Sequence, residues 1–442
     1  MSMEYMALMM FVVLIILLMS GYPVAFALGA VGLVFGIPAL GMEFFDLLPL
    51  RIWGIMTNFT LLAVPLFVFM GVILEKSGLA EDLLETMALL FGRVRGGLTV
   101  SLVLVGGLLA ATTGVVGATV VTMTVIALPA MMKNGYQAEL STGTIAASGT
   151  LGQLIPPSII LVLLADQMGV PVPRLFAGAV VPGLVMITLF IGFILVMAML
   201  RPGVAPLSAD SESRWPHDMG KRVVRSLVPP MFIMIAVLGS IFFGIAGPTE
   251  SAAFGAMGAM MLAALHKRLT LDSLRQSTMD TMRLTSMVFM ILIGATIFGL
   301  VFRGMGGDAV VQEIMSALPG GEWGFLLASM VVIFVLGFFL DFLEICFIIV
   351  PILAPIAVTL GLDPLWFAIL IAVNLQTSFL TPPFGFSLFY LKAAAPASIR
   401  MEQIYRGVIP FIIIQVFVLA SIMMAPQLVL WLPDWMDSLR GY

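Results

Sequence analysis

The chain has little charge. Only 10% of its 442 residues are Asp, Glu, Lys or Arg, against roughly 25% in soluble domains, while 61% are apolar. So little charge cannot solvate a surface in water, which excludes a soluble globular protein and points to a bilayer. Cysteine is almost missing: the single Cys346 rules out an internal disulfide. Histidine is nearly as scarce, and His217 and His266 fall in polar loops without clustered partners, which argues against metal or triad chemistry. No glycine-rich loop ends in Gly-Lys-Ser/Thr, so no nucleotide phosphate site is visible. The net charge of -4 is spread over short loops without basic patches, and nucleic acid is excluded as a partner.

What the chain has in abundance is long apolar runs. With about 20 residues per crossing, spans are expected near 5–20, 22–40, 58–74, 141–166, 174–200, 226–246, 249–265, 284–302, 364–391 and 405–430. The first begins with Glu4 rather than a basic region, so it reads as a retained span and not a cleaved signal peptide. Two further regions, 98–132 and 323–360, are too long for one helix and short for two. Each weakens at its centre, in "ATTGVVGAT" (Ala111 to Thr119) and "FFLDFLE" (Phe338 to Glu344). Both read as re-entrant helical hairpins with tips sheltered by protein; two spans joined by a tight turn are the alternative.

Loops rich in Lys and Arg stay in the cytoplasm. That places 201–225, with Arg201, Arg214, Lys221, Arg222 and Arg225, and 266–283, with Lys267, Arg268, Arg275 and Arg283, inside. Arg93, Arg95, Lys133, Lys392, Arg400 and Arg406 then also fall inside, Glu43 and Asp46 outside, and both termini outside.

An internal register supports two copies of one unit. Pro156-Pro157 and Pro382-Pro383 are 226 positions apart, as are Pro129 and Pro355, Gly135 and Gly361, Gly29 and Gly255, and Gly32 and Gly258. The expected division is a first inverted repeat over 1–200 (hairpin 98–132, broken helix 141–166), a cytoplasmic loop 201–225, and a second repeat over 226–442 (hairpin 323–360, broken helix 364–391). Each copy has five spans and a hairpin, and an odd number of spans inserts the second copy upside down. The fold class is an all-α integral membrane protein of about ten transmembrane helices plus two re-entrant hairpins.

A proline pair in mid-membrane frees carbonyls and amides that hydrocarbon cannot satisfy. Freed carbonyls and hydroxyls suit sodium, and helix N-termini suit a carboxylate. Thr112 and Thr113 at the first tip, Ser148, Thr150 and Ser158 at the first break, and Thr377, Ser378 and Thr381 at the second supply hydroxyls, though each could bond back to its own helix. Thr150, Gln153, Ser158 and Gln376 are the side chains expected to face a substrate. Asp341, a carboxylate in hydrocarbon with no basic residue between Arg303 and Lys392, points to sodium coordination or proton coupling. Glu344 could share that role or reach water, and Glu250 reads equally as a helix N-terminal residue. An intramembrane aspartyl enzyme using Asp341 with Asp308 is disfavoured, because Asp308 falls in the polar outer loop "GMGGD".

The runs "MGVILEKSGLAEDLLETMALLFGRVRGGL", "LPAMMKNGY", "GTLGQLIPPSI", "GPTESAAFGA" and "TPPFG" together resemble the large membrane (M) subunit of tripartite ATP-independent periplasmic (TRAP) transporters, over nearly the whole chain. The resemblance implies an elevator-type transporter with a scaffold and a mobile domain of two hairpins and two broken helices, in a bacterial inner membrane. It implies a small membrane (Q) subunit and a periplasmic binding protein (P) as partners, and sodium-driven uptake of an organic acid. A stand-alone sodium- or proton-coupled symporter of the same architecture is the alternative. The family's sodium sites fall here on Thr112, Thr113 and Gly114 with Gly152 and Pro156, and on Asp341 with Thr377, Ser378 and Thr381. The first tip reads "TTGVVGA" where many relatives carry a Ser-Gly-Ser type turn, and the breaks are similar to those of a branch associated with keto acids and other organic acids.

Overall fold

The computed structural model describes residues 3–113, 116–207 and 219–440, and every regular element among them is helical. The first half runs through α1 (Met3–Met19), α2 (Val24–Leu40), a 3-10 turn (Met42–Leu47), α3 (Leu48–Met56), α4 (Ala63–Lys76) and α5 (Leu79–Phe91). It continues through the hairpin α6 (Gly97–Thr113) and α7 (Val116–Lys133), the broken pair α8 (Ala138–Thr150) and α9 (Ile159–Met168), and α10 (Val172–Leu200). The second half runs through α11 (Met219–Phe242), α12 (Pro248–Leu265), α13 (Leu271–Gly304) and α14 (Gly307–Ser316). The second hairpin is α15 (Glu322–Leu336) with α16 (Phe342–Ile348) and α17 (Val350–Thr359), bent by 52° beside Pro351. The broken pair α18 (Pro364–Leu380) and α19 (Phe386–Ala394), then α20 (Met401–Met424) and α21 (Gln427–Arg440), complete the chain.

Each of the ten expected spans falls on a helix or on one of the two broken pairs. Among the described residues α7, α10, α11, α13 and α20 are individually long and apolar enough to cross a membrane. Most of the remaining spans are shorter single helices or are divided at the proline pairs.

The helices follow the 226-residue register in order and in packing. The first broken pair, ending at Met168, has its counterpart in the pair ending at Ala394. α2 packs on α13 as α12 packs on α4, and α8 packs on α20 as α18 packs on α10. Small residues make these crossings close, as membrane packing favours. A Cβ on Gly143 of α8 would meet the Gly407 carbonyl of α20, and one on Gly407 would meet the Glu139 carbonyl of α8.

In each half the first arm of the hairpin packs, near its end, against the broken pair that follows. Gly152, in the 3-10 turn after α8, sits against the backbone of Ala110 near the end of α6. In the second half Gly337, at the end of α15, sits against Ser378 of α18.

Some stretches expected to be loops are helical. α11 begins at Met219, so Lys221, Arg222 and Arg225 lie on its first turns, and α13 begins at Leu271, so Arg275 and Arg283 are helical too. Thr270 and Ser273 start α13 with a reciprocal capping box: the Ser273 amide donates to Thr270 Oγ1 (3.0 Å) and the Thr270 amide donates to Ser273 Oγ (2.9 Å). At 1.5 Å per residue, α13's 34 residues extend about 51 Å, well beyond a hydrocarbon core of about 30 Å. Its first turns therefore stand outside that core, where Asp280 pairs with Lys76 at 2.5 Å. Asp308 likewise lies in the first turn of α14 rather than in a loop. α5 and α14 each follow a glycine with positive φ, Gly78 at 67° and Gly306 at 78°, a conformation that a side chain would strain. Arg214, His217 and Tyr442 lie outside the described residues.

Candidate functional site

The two breaks resolve their freed carbonyls in the same way. After α8 a 3-10 turn (Leu151–Gln153) leads into Pro156-Pro157, and the Ser158 hydroxyl reaches back to the Gln153 carbonyl (3.3 Å). After α18 the chain passes through Pro382-Pro383, and the Ser387 hydroxyl reaches back to the Phe379 carbonyl (2.8 Å). Residues 153 and 379 are register equivalents. Both Pro-Pro bonds are cis.

Most of the hydroxyls donate to their own helices. Ser148 bonds Thr144 O (2.6 Å), Thr150 bonds Ala147 O (2.9 Å), Thr377 bonds Val373 O (2.9 Å), Ser378 bonds Leu375 O (2.9 Å) and Thr381 bonds Thr377 O (2.7 Å). Donation uses the proton and leaves oxygen lone pairs free to accept a donor or a cation. The side chains of Thr112 and Thr113, and Gly114 altogether, lie outside the described residues.

Asp341 occupies the second tip as the N-cap of α16. Its Oδ1 accepts the Phe342 amide (2.7 Å), while Glu344 Oε2 accepts the Asp341 amide (2.9 Å). Glu344 is thus buried and engaged at the cap rather than reaching water. No salt bridge to either carboxylate occurs among the described residues.

Asp341 lines a cavity of about 90 Å³ together with Gly117 of α7, Gln153 and Ile159 at the first break, and Phe379, Phe386 and Tyr390 at the second. Val68 of α4 and Leu284 and Met287 of α13 close it. One water needs only about 10–15 Å³, so the space admits a small solute. Both side-chain polar atoms of the fully buried Gln153 lack a protein partner. The arrangement offers a carboxylate for a cation and an amide for an anionic or polar solute. Of the sequence-derived candidates, Asp341 and Gln153 line this cavity, whereas Thr150, Gly152, Pro156, Ser158, Gln376, Thr377, Ser378 and Thr381 do not.

Beside it a second cluster joins the halves. The amides of Gln376 and Gln415 both donate to Thr150 Oγ1, each at 3.4 Å, with all three residues fully buried. Thr150 and Gln376 are 226 positions apart, so equivalent positions meet where the two copies meet. Gln415 of α20 and Tyr390 were not among the residues singled out from the sequence; the lone Gln within "FIIIQVFVLA" was the available signal. Thr150→Val keeps the volume and removes the shared acceptor, leaving two buried donors unpaired at about 1–3 kcal/mol each. We expect a lower thermal midpoint for Thr150→Val and a near-normal one for Thr150→Ser, measured on purified protein. Equal midpoints for Thr150→Val and the parent would show that the cluster contributes nothing.

Asp308 lines a different cavity from Asp341, so the two form no acid pair. Among the described residues no group of three His, Cys, Asp or Glu side chains could hold a metal.

Residues 11–428 match the family model described as the tripartite ATP-independent periplasmic transporter, DctM component. The chain belongs to this family. It is 29% identical over 390 residues to the C4-dicarboxylate TRAP transporter large permease protein DctM of Pseudomonas aeruginosa, covering 88% of this chain and 90% of that one. It is also 29% identical to the isethionate TRAP transporter permease protein DctMQ of Oleidesulfovibrio alaskensis, covering 91% of this chain and 62% of the longer relative. The solved structure of the Alcanivorax borkumensis YdaH transporter superposes with a TM-score of 0.64 over 95% of this chain and 98% of that one, at 13% identity, a likeness of fold. This DctM-family chain is accordingly a multi-pass membrane transport subunit and not an enzyme.

Proposed function

We propose that this chain is the large permease subunit of a TRAP system that imports an organic acid, a keto or dicarboxylic acid, on an inward sodium gradient across the bacterial inner membrane. The observation that carries the reading is the cavity at which the second hairpin tip, the first hairpin's α7 and both broken helices converge around Asp341 and Gln153. Sodium is the coupling ion and is carried with the substrate. Asp341 supplies its charge at the second site, with hydroxyl and carbonyl oxygens of Thr377, Ser378 and Thr381 as neighbouring ligands. Thr112, Thr113, Gly114, Gly152 and Pro156 form the first site. Thr150, Gln153, Ser158 and Gln376 face the substrate path. The hairpins and broken helices move as one body against a scaffold that includes α2, α4, α12 and α13.

A small membrane subunit covers part of the scaffold, and a periplasmic binding protein delivers the acid. The relative whose name joins M and Q components supports the first partner. α21 carries two aromatic side chains of the kind that sit at a membrane interface: Trp431 and Trp435 are 58% and 51% exposed, and the helix is tied to the start of α10 by Arg174 with Asp434 (3.3 Å) and Asp437 (3.1 Å). The test is co-reconstitution with the candidate partners in liposomes and uptake of labelled organic acids under an imposed sodium gradient. Uptake should need the gradient and both partners. Full uptake by this chain alone would favour a stand-alone symporter.

A further inference from the structure

A second cavity, of about 480 Å³, lies between α3, the far end of α13, the end of α9, α14 and the α16–α17 arm of the second hairpin. Its lining includes two guanidinium groups, Arg51 and Arg303. It opens at the end of α13 opposite Arg268 and Lys267, hence away from the Lys- and Arg-rich loops. The positive-inside tendency does not account for arginines on that face. A third arginine there, Arg174, is neutralised by Asp434 and Asp437. Arg51 and Arg303 have no salt-bridge partner among the described residues, and their like charges act on each other.

Two carboxylates share the cavity, but both are engaged elsewhere. Asp166 accepts the side-chain amides of Asn58 (2.7 Å) and Gln167 (2.9 Å). Asp308 accepts the backbone amide of Ala309 (3.0 Å) and offsets part of the Arg303 charge from a distance beyond salt-bridge contact. Arg51 and Arg303 are exposed residues of the lining, and neither is in salt-bridge contact with these carboxylates. A fork of parallel N–H donors pairs bidentately with a planar carboxylate, as it does with a phosphate. The volume falls in the range of small-molecule sites, about 300–1,000 Å³.

The cavity also stands next to the central one. α13 lines both, through Leu292 to Arg303 here and through Leu284 and Met287 there, and the α16–α17 arm that walls this cavity carries Asp341 at its start. We infer that Arg51 and Arg303 form an outer capture site for the carboxylate of a small organic acid, filled before the acid reaches the central cavity. The site's place on an uptake route and the choice of a carboxylate rest on the proposed function; the binding of an anion by the two arginines does not.

The experiment uses the full chain in complex with its small membrane subunit and reads phenylglyoxal modification of each arginine by peptide mass spectrometry. Succinate and pyruvate serve as probes, with sodium chloride at matched ionic strength as the control. Both acids should slow modification of Arg51 and Arg303 by about fivefold or more, as a bidentate contact implies, and leave the exposed Arg283 unaffected. Arg303→Gln should remove the protection at Arg51, and Arg51→Gln that at Arg303, in protein that remains monodisperse. Protection equal to that by chloride, or equal at Arg283, would overturn the site. So would arginines that react in the isolated chain but are shielded in the complex without any acid, since the cleft would then be a subunit contact. Because protection needs no gradient, failed uptake with intact protection would count against the proposed transport function alone.

Discussion

Asp341→Asn is expected to insert and fold as the parent does and to lose sodium-driven uptake by at least about tenfold, which corresponds to only about 1.4 kcal/mol of coupling. Asparagine is as good an N-cap as aspartate, and its Oδ1 can still accept the Phe342 amide that Asp341 holds at 2.7 Å. What disappears is the charge. A sodium ion held by neutral oxygens alone keeps its full charge away from water, and a carboxylate about 4 Å away is worth about 4 kcal/mol at an effective dielectric of 20. Asp341→Ala separates the two roles, because it also removes the cap, at about 1 kcal/mol of stability. The deciding measurement is uptake by parent and Asp341→Asn complexes across a sodium titration at fixed pH, beside thermal unfolding of each. An unchanged sodium dependence would end the claim that Asp341 couples the ion. Uptake that follows a pH gradient without sodium would make it a proton carrier instead.

Gly152→Ala should have the second large effect. A Cβ there overlaps the carbonyl of Ala110, a backbone group that cannot swing aside. Either the first hairpin lifts from the break or the 3-10 turn deforms. Overpacking of this kind costs about 1–3 kcal/mol, and the thermal midpoint should fall. Uptake should fall further than the midpoint suggests, because the displaced segment belongs to the first proposed sodium site. Gly183→Ala is the control: its Cβ would meet Ile155 at 3.5 Å and Leu154 at 4.0 Å, ordinary contacts. Normal uptake and an unshifted midpoint in Gly152→Ala would mean that tip and break are not held together as described.

The spans were legible because hydrocarbon demands long apolar runs, and the division of 98–132 and 323–360 into successive helices because those runs weaken at Ala111–Thr119 and at Phe338–Glu344. The proline pairs marked both breaks, since little else interrupts a buried helix at such a cost. α5 and α14 were not legible: each is short, amphipathic and charged, and so resembles a loop when read for hydropathy. The starts of α11 and α13 were hidden similarly, because basic residues that set orientation also sit comfortably on helix turns outside the hydrocarbon. At the site, Asp341 stood out as a charge without a partner in sequence. The companions of Thr150 did not. Gln415 comes from a helix 265 positions away, and one amide in an apolar span gives no hint of its neighbour until the helices are packed.

The meeting of Thr150 with Gln376 bears on how such a chain can have arisen. A side chain on a twofold axis faces its own copy, so two identical halves would set one residue type against itself and require it to serve as both donor and acceptor. Joining the halves in one gene lifts that requirement. Here the roles are divided: one half supplies the hydroxyl, the other the amide. Once divided in this way, the halves are no longer interchangeable, and neither could pair with a second copy of itself without setting threonine on threonine or glutamine on glutamine at the centre.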